Sequence, residues 1–122
     1  LHGDEGLAGS AEDGAAFLRI LDGDPTSPTY LAELSRYRSR KEVGIHNIQV
    51  VGDKIYLSYY QDGVRIVDIA DPTQPTEVAH FNTWNPDTAF GAAFEGAVGV
   101  RVANGHVFVA DIDRGLIILD EE

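Results

Sequence analysis

The chain has 122 residues, and its 9 Lys and Arg stand against 20 Asp and Glu for a formal charge of −11. At roughly 100–200 residues per domain, this length holds one small domain and excludes a two-domain dehydrogenase or kinase. The acidity repels nucleic-acid phosphates and anionic lipid, and the absence of Cys excludes disulfides, thiolate metal sites and Cys nucleophiles.

Hydrophobic residues at 43% and charged residues at 24% match ordinary globular usage. Apolar runs such as residues 116–119 are far too short to span a bilayer, so no membrane insertion is expected. With Leu at position 1 and no Met, the expectation is a processed chain or a segment of a longer one.

Residues 1–15 (LHGDEGLAGSAEDGA) show no period and predict a loop or frayed terminus. A partial unit follows over residues 16–40, where the apolar run at 18–21 closes on Asp22 and a Pro-Thr-x-Pro-Thr element starts at Pro25. Residues 30–41 (YLAELSRYRSRK) carry good helix formers, but aligned behind that element they fall on a strand of the next unit, which predicts a strand. A full unit spans 44–83. There Ile48 and Val50 alternate with polar neighbours, Gly52-Asp53 predicts a tight turn, and Ile55 and Leu57 continue the alternation. Gly63 then opens VRIVD, and residues 76–82 (TEVAHFN) follow Pro72 and Pro75 as an outermost fourth strand. Residues 84–95 (WNPDTAFGAAFE) form a connector. The terminal unit, 96–120, repeats the pattern with Asn104-Gly105 as its turn and Gly115 opening its last strand.

Residues 46–68 lie on residues 98–120 without a gap at a constant offset of 52. Val50 meets Val102, Gly63 meets Gly115, Ile66 meets Ile118 and Asp68 meets Asp120. The closing aspartates Asp22, Asp68 and Asp120 recur after 46 and then 52 residues. Spacings of roughly 40–50 residues with four short strands per unit are those of propeller blades. The predicted class is all-β, with antiparallel four-stranded propeller-type blades in about two and a half units.

The stretch GVRIVDIADPTQPTEVAHFNT resembles the LVIVD repeat, a unit of secreted or cell-surface β-propellers. The preceding IHNIQVVGDKIYLSYYQ resembles the inner two strands of that unit, and residues 96–119 resemble a terminal blade. The likeness covers about 16–83 and 96–120. It departs in the first copy, where Asp24-Pro25 is displaced by one residue, and in the third, which has no Pro element. It implies a propeller scaffold outside the cell or at its surface, without a catalytic set. About 4–8 blades are needed to close a ring. The expected partner is therefore protein, either self in a homo-oligomer or neighbouring blades of a larger chain.

Asp22, Asp68 and Asp120 suit a carboxylate ring holding Ca²⁺, or turns in which each accepts backbone N–H bonds, and their repetition favours turns. Asp111 and Asp113 have the opening spacing of a calcium loop, yet the third ligand is missing, so calcium is not expected and no other cofactor is indicated. His46 and Asn47, starting an inner strand, are candidates for an axial ligand site. Trp84, Phe90 and Phe94 suit an aromatic platform or an inter-blade plug. No Gly-x-Ser-x-Gly elbow or phosphate loop occurs. The expectation is a non-enzymatic structural or interaction module; the alternative is a ligand-binding or enzymatic propeller with an axial polar site.

Overall fold

A computed structural model describes residues 2–3, 17–40, 43–91 and 94–121. Its strands group into three antiparallel sheets stacked as blades. The first blade contains β1 (His2–Gly3), β2 (Leu18–Leu21) and β3 (Glu33–Tyr37), in that order. The second contains β4 (Ile48–Val51), β5 (Lys54–Ser58), β6 (Val64–Asp68) and β7 (Thr76–Phe81). The third contains β8 (Ala97–Ala103), β9 (His106–Asp111) and β10 (Gly115–Asp120). The chain is all-β, with one complete four-stranded blade between two three-stranded ones. Of the predicted N-terminal loop, His2–Gly3 instead pairs with β2, and the rest lies outside the described residues.

Turn chemistry sets the registers. Asn104 and Gly105 both take positive φ (53° and 76°), the sign pattern of a type I′ hairpin turn whose twist matches the flanking strands. The segment with helix-forming residues becomes β3 because its entry is locked beforehand. Leu31 sits at φ 64° and donates its N–H to the Asp22 carbonyl at 2.8 Å, while the Asp22 N–H reaches the Ala32 carbonyl at 2.9 Å. Arg19 then lies opposite Arg36 as Arg65 lies opposite His80, and a bulge follows at the same repeat position in both blades, after Ile20 and after Ile66.

Alternation along the third strand of each unit decides which way its side chains pack. Leu18 and Ile20 are buried against the second blade, in a cluster with Ile45, Ile55, Leu57, Tyr59 and Val67. One unit on, Val64 is buried against Tyr56, Ala97, Val107 and Val109, with Ile66, Ile117 and Leu119 half-buried around them. β5 is thus covered on both faces. Tyr56, which sequence alternation places on the side opposite Ile55 and Leu57, is fully buried because the third blade covers that side. Each fully buried aliphatic or aromatic side chain here is worth roughly 1.5–3 kcal/mol. The equivalent pair in the third blade has no such cover: Leu116 is 66% exposed and Ile118 56%.

Candidate functional site

The polar side chains of the chain converge where the connector after β7 crosses from the second blade to the third. Tyr60, held at φ 44°, exchanges two backbone hydrogen bonds with Ala97 at 2.9 and 3.0 Å, stitching the two blades together. This approach requires Gly96, which has φ 82° and where a Cβ would lie 2.3 Å from the Tyr60 carbonyl oxygen. His46 meets the edge of the Tyr60 ring at 5.5 Å, and Phe94 packs on the same ring at 5.3 Å.

Below this aromatic stack lies a set of acidic side chains that hold backbone. Trp84 donates its indole N–H to Glu95 at 2.8 Å, and the Glu95 residue is only 2% exposed. The Gly96 N–H donates to Asp113 Oδ2 at 3.1 Å. Asp111 Oδ1 accepts the N–H groups of Asp113 at 2.9 Å and Arg114 at 3.0 Å, and its Oδ2 accepts the buried Thr83 hydroxyl. Arg114 completes the circuit by donating to the Thr83 carbonyl at 3.0 Å. Charge-assisted bonds of this kind are the strong ones, and they fix the connector between blades.

His46, Phe94, Trp84, Asp111 and Asp113 therefore come together in one neighbourhood. Asn47 stands apart, exposed, pairing with Ser58 through its own backbone N–H and carbonyl. Phe90 is 81% exposed and belongs to no aromatic platform with Trp84 or Phe94. Tyr60, Thr83, Glu95 and Arg114 escaped the sequence reading, since a non-Gly residue at positive φ and a buried Glu leave no local signature. Only Gly96, directly before the third repeat, could have signalled the close approach.

The repeated aspartates organise turns. Asp22 accepts the Asp24 N–H at 3.0 Å and the Thr29 hydroxyl at 2.7 Å, and Asp68 accepts the Ala70 N–H at 2.8 Å. Asp24 and Asp71 repeat the device on Thr26 and Thr73, whose hydroxyl and N–H hold the carboxyls below the usual range. Asp120 departs from this role and meets His106 Nδ1 at 3.1 Å. Gly63 and Gly115 open their strands at φ 71° and 75°. Pro72 offers its carbonyl to the Ser35 hydroxyl, and Pro75 immediately precedes β7. Among the described residues no three acidic or His side chains gather into a metal-holding group, so the three aspartates form no carboxylate ring.

The LVIVD repeat profile matches residues 45–83 and 96–120, more than half of the chain. The chain belongs to the LVIVD repeat family. No curated protein and no solved structure matches it. The matched stretches of this LVIVD-repeat chain are its second and third blades, and the connector between them lies outside the match. The acidic circuit thus joins a non-repeating segment to two repeating ones.

A second polar network seals the junction of the first and second blades. Glu77 accepts the Tyr37 hydroxyl and is paired with Arg65 at 3.1 Å, while Asp62 is paired with Arg40 at 2.7 Å and Arg65 at 3.7 Å. Burial raises the Glu77 carboxyl, but the Tyr37 and Arg65 donors outweigh it and hold the group below its ordinary value.

Proposed function

We propose that this LVIVD-repeat chain is a non-enzymatic structural and protein-interaction module, working as part of a larger propeller or assembly. One observation carries the reading. Tyr56, Val64 and Ile66 of the second blade face the third, and their repeat equivalents Phe108, Leu116 and Ile118 form the far face of the third blade. The surface that receives a blade in one unit is solvent-facing in the next, and an apolar sheet face of this type marks a contact site. The polar side chains around His46 are engaged in holding the connector, which supports a scaffold role. Location outside the cell or at its surface rests on the resemblance to secreted and cell-surface propellers.

Native mass by light scattering tests the reading. The expected result is an assembly whose mass is a multiple of 13.2 kDa, dissociated by the paired substitutions Leu116→Lys and Ile118→Lys. A well-folded monomer that is unchanged by those substitutions refutes it.

A further inference from the structure

The third blade ends at β10, whose outer side carries no strand, whereas the equivalent strand of the second blade, β6, is covered by β7. Beside β10 lies a cleft of about 560 Å³ lined by Val78, Phe81, Val107 and Leu119, with Lys54 and His80 also on its walls. At the junction one blade earlier, β7 and its Pro element contact β3: Ser35 donates to the Pro72 carbonyl and Tyr37 to Glu77. The two junctions are otherwise built alike. A Cβ at Gly63 would strike the Phe81 carbonyl oxygen at 2.2 Å, while a Cβ at Gly115 would meet nothing within 4 Å. The space beside Gly115 is the space β7 fills beside Gly63.

The chemistry of the missing strand can be read from the residues around it. In the second blade Glu77 lies opposite Val67 and is held by Arg65 and Tyr37. Shifting by one repeat turns Arg65 into Ile117, Val67 into Leu119 and Tyr37 into Phe81. Both donors to the carboxylate are replaced by hydrocarbon. A Glu placed opposite Leu119 would be desolvated without a partner, at a cost of several kcal/mol, whereas an aliphatic side chain there would be buried among Ile117, Leu119 and Phe81. The chain's own fourth strands fit poorly, because each carries Glu at this position, Glu33 opposite Leu21 and Glu77 opposite Val67. A strand exchanged from a second copy would therefore bring the wrong residue.

We propose that the open edge of β10 binds an extended strand of another polypeptide, antiparallel to β10 and carrying a branched aliphatic residue where β7 carries Glu77. This rests on the interaction-module reading and names the partner's chemistry. Main-chain hydrogen bonds supply affinity in such strand addition, and the side chain over the cleft supplies specificity.

The test uses the full chain and two labelled peptides: residues 70–82 of this protein, and the same peptide with Glu77→Val. Fluorescence anisotropy should show the Val peptide binding at least about tenfold more tightly, the discrimination expected when a buried carboxylate loses its partner. Amide NMR shifts should map to β10, and N-methylation of the peptide backbone should abolish binding. Ile117→Arg, which restores the cation found at Arg65, should reverse the preference. The peptide comparison on the unaltered chain stands alone if that variant fails to fold. Equal or tighter binding of the Glu peptide, or shifts away from β10, overturns the proposal. An assembly seen by light scattering with no binding of either peptide overturns it while leaving the module reading intact. A dimer whose β10 amides are already protected overturns the choice of a foreign strand.

Discussion

Replacing Gly63 and Gly115 by Ala, one at a time, tests how far two positions that match in sequence differ in space. Both glycines take left-handed φ, 71° and 75°, where an L side chain costs roughly 1–2 kcal/mol. For Gly115→Ala this is the whole effect, because the new Cβ meets nothing within 4 Å. For Gly63→Ala the Cβ would lie 2.2 Å from the Phe81 carbonyl oxygen and 2.7 Å from both the Asn82 Cα and the Thr83 nitrogen. All three are backbone atoms, so the end of β7 must move, at an overpacking cost of about 1–3 kcal/mol. Thr83 also holds Asp111, so the displacement reaches the acidic circuit. The expected losses are about 3–5 kcal/mol for Gly63→Ala and about 1–2 kcal/mol for Gly115→Ala, against a total stability on the order of 5–15 kcal/mol. Urea unfolding followed by the fluorescence of Trp84, the single Trp, measures both. Equal losses, or a larger one at Gly115, would refute the reasoning.

Trp84→Phe removes one donor from buried Glu95 and should cost about 1.5–3 kcal/mol in the same assay, with Tyr fluorescence or circular dichroism as the probe. At high pH, burial and the Glu121 contact push the Tyr56 phenol up to about 12, and Tyr37 and Tyr59 are also raised, chiefly by burial. The folded state then holds protons that the unfolded state releases near pH 10, so stability should fall as pH rises from about 10 to 12, less steeply in Tyr56→Phe. An unchanged slope in that variant would assign the loss to other groups. At low pH the sign is opposite: the Asp71 carboxyl is lowered by the Thr73 hydroxyl and N–H, so its contribution is present above about pH 4 and is lost on acidification. Asp71→Asn keeps an acceptor for Thr73 and should flatten the acid limb of stability against pH. His46→Ala with Asn47→Ala should leave native mass unchanged and cost about 0.5–1.5 kcal/mol for the lost Tyr60 ring contact.

The repeat made most of the fold legible. The offset of 52 placed every strand of the second and third blades, and the Pro-Thr-x-Pro-Thr register turned a helix-like segment into β3. Local propensity alone misleads at residues 30–41, since the structure there depends on how Asp22 and Leu31 close the preceding turn. The site was less legible. His46, Trp84, Phe94, Asp111 and Asp113 are residue types that invite a functional reading one by one, but what joins them is the Tyr60–Ala97 bridge. That bridge depends on a strained Tyr and on Gly96, and neither follows from period or composition. The partnering of Glu95 with Trp84 likewise appears only when the connector is folded back on itself.

The two junctions of this chain also show why near-identical blades stack in one order. Each presents the same alternating apolar surface, which would accept any blade. Order comes from polar contacts found once. Tyr37 with Glu77 and Arg65 marks the first junction. Tyr56 with Glu121, and Gln49 with the backbone N–H of Val102 at 2.6 Å, mark the second. A wrong neighbour at the first junction leaves Glu77 without its hydroxyl donor, and the cost of a partly satisfied buried carboxylate discriminates where hydrophobic area cannot. The far face of the third blade follows the same plan. Phe108, Leu116 and Ile118 offer common apolar area, and Arg101 opposite Phe108 and Asp120 opposite His106 supply polar marks that are this blade's own. A neighbour that satisfies Arg101 and Asp120 as well as covering the apolar centre is therefore preferred over a copy of either preceding blade.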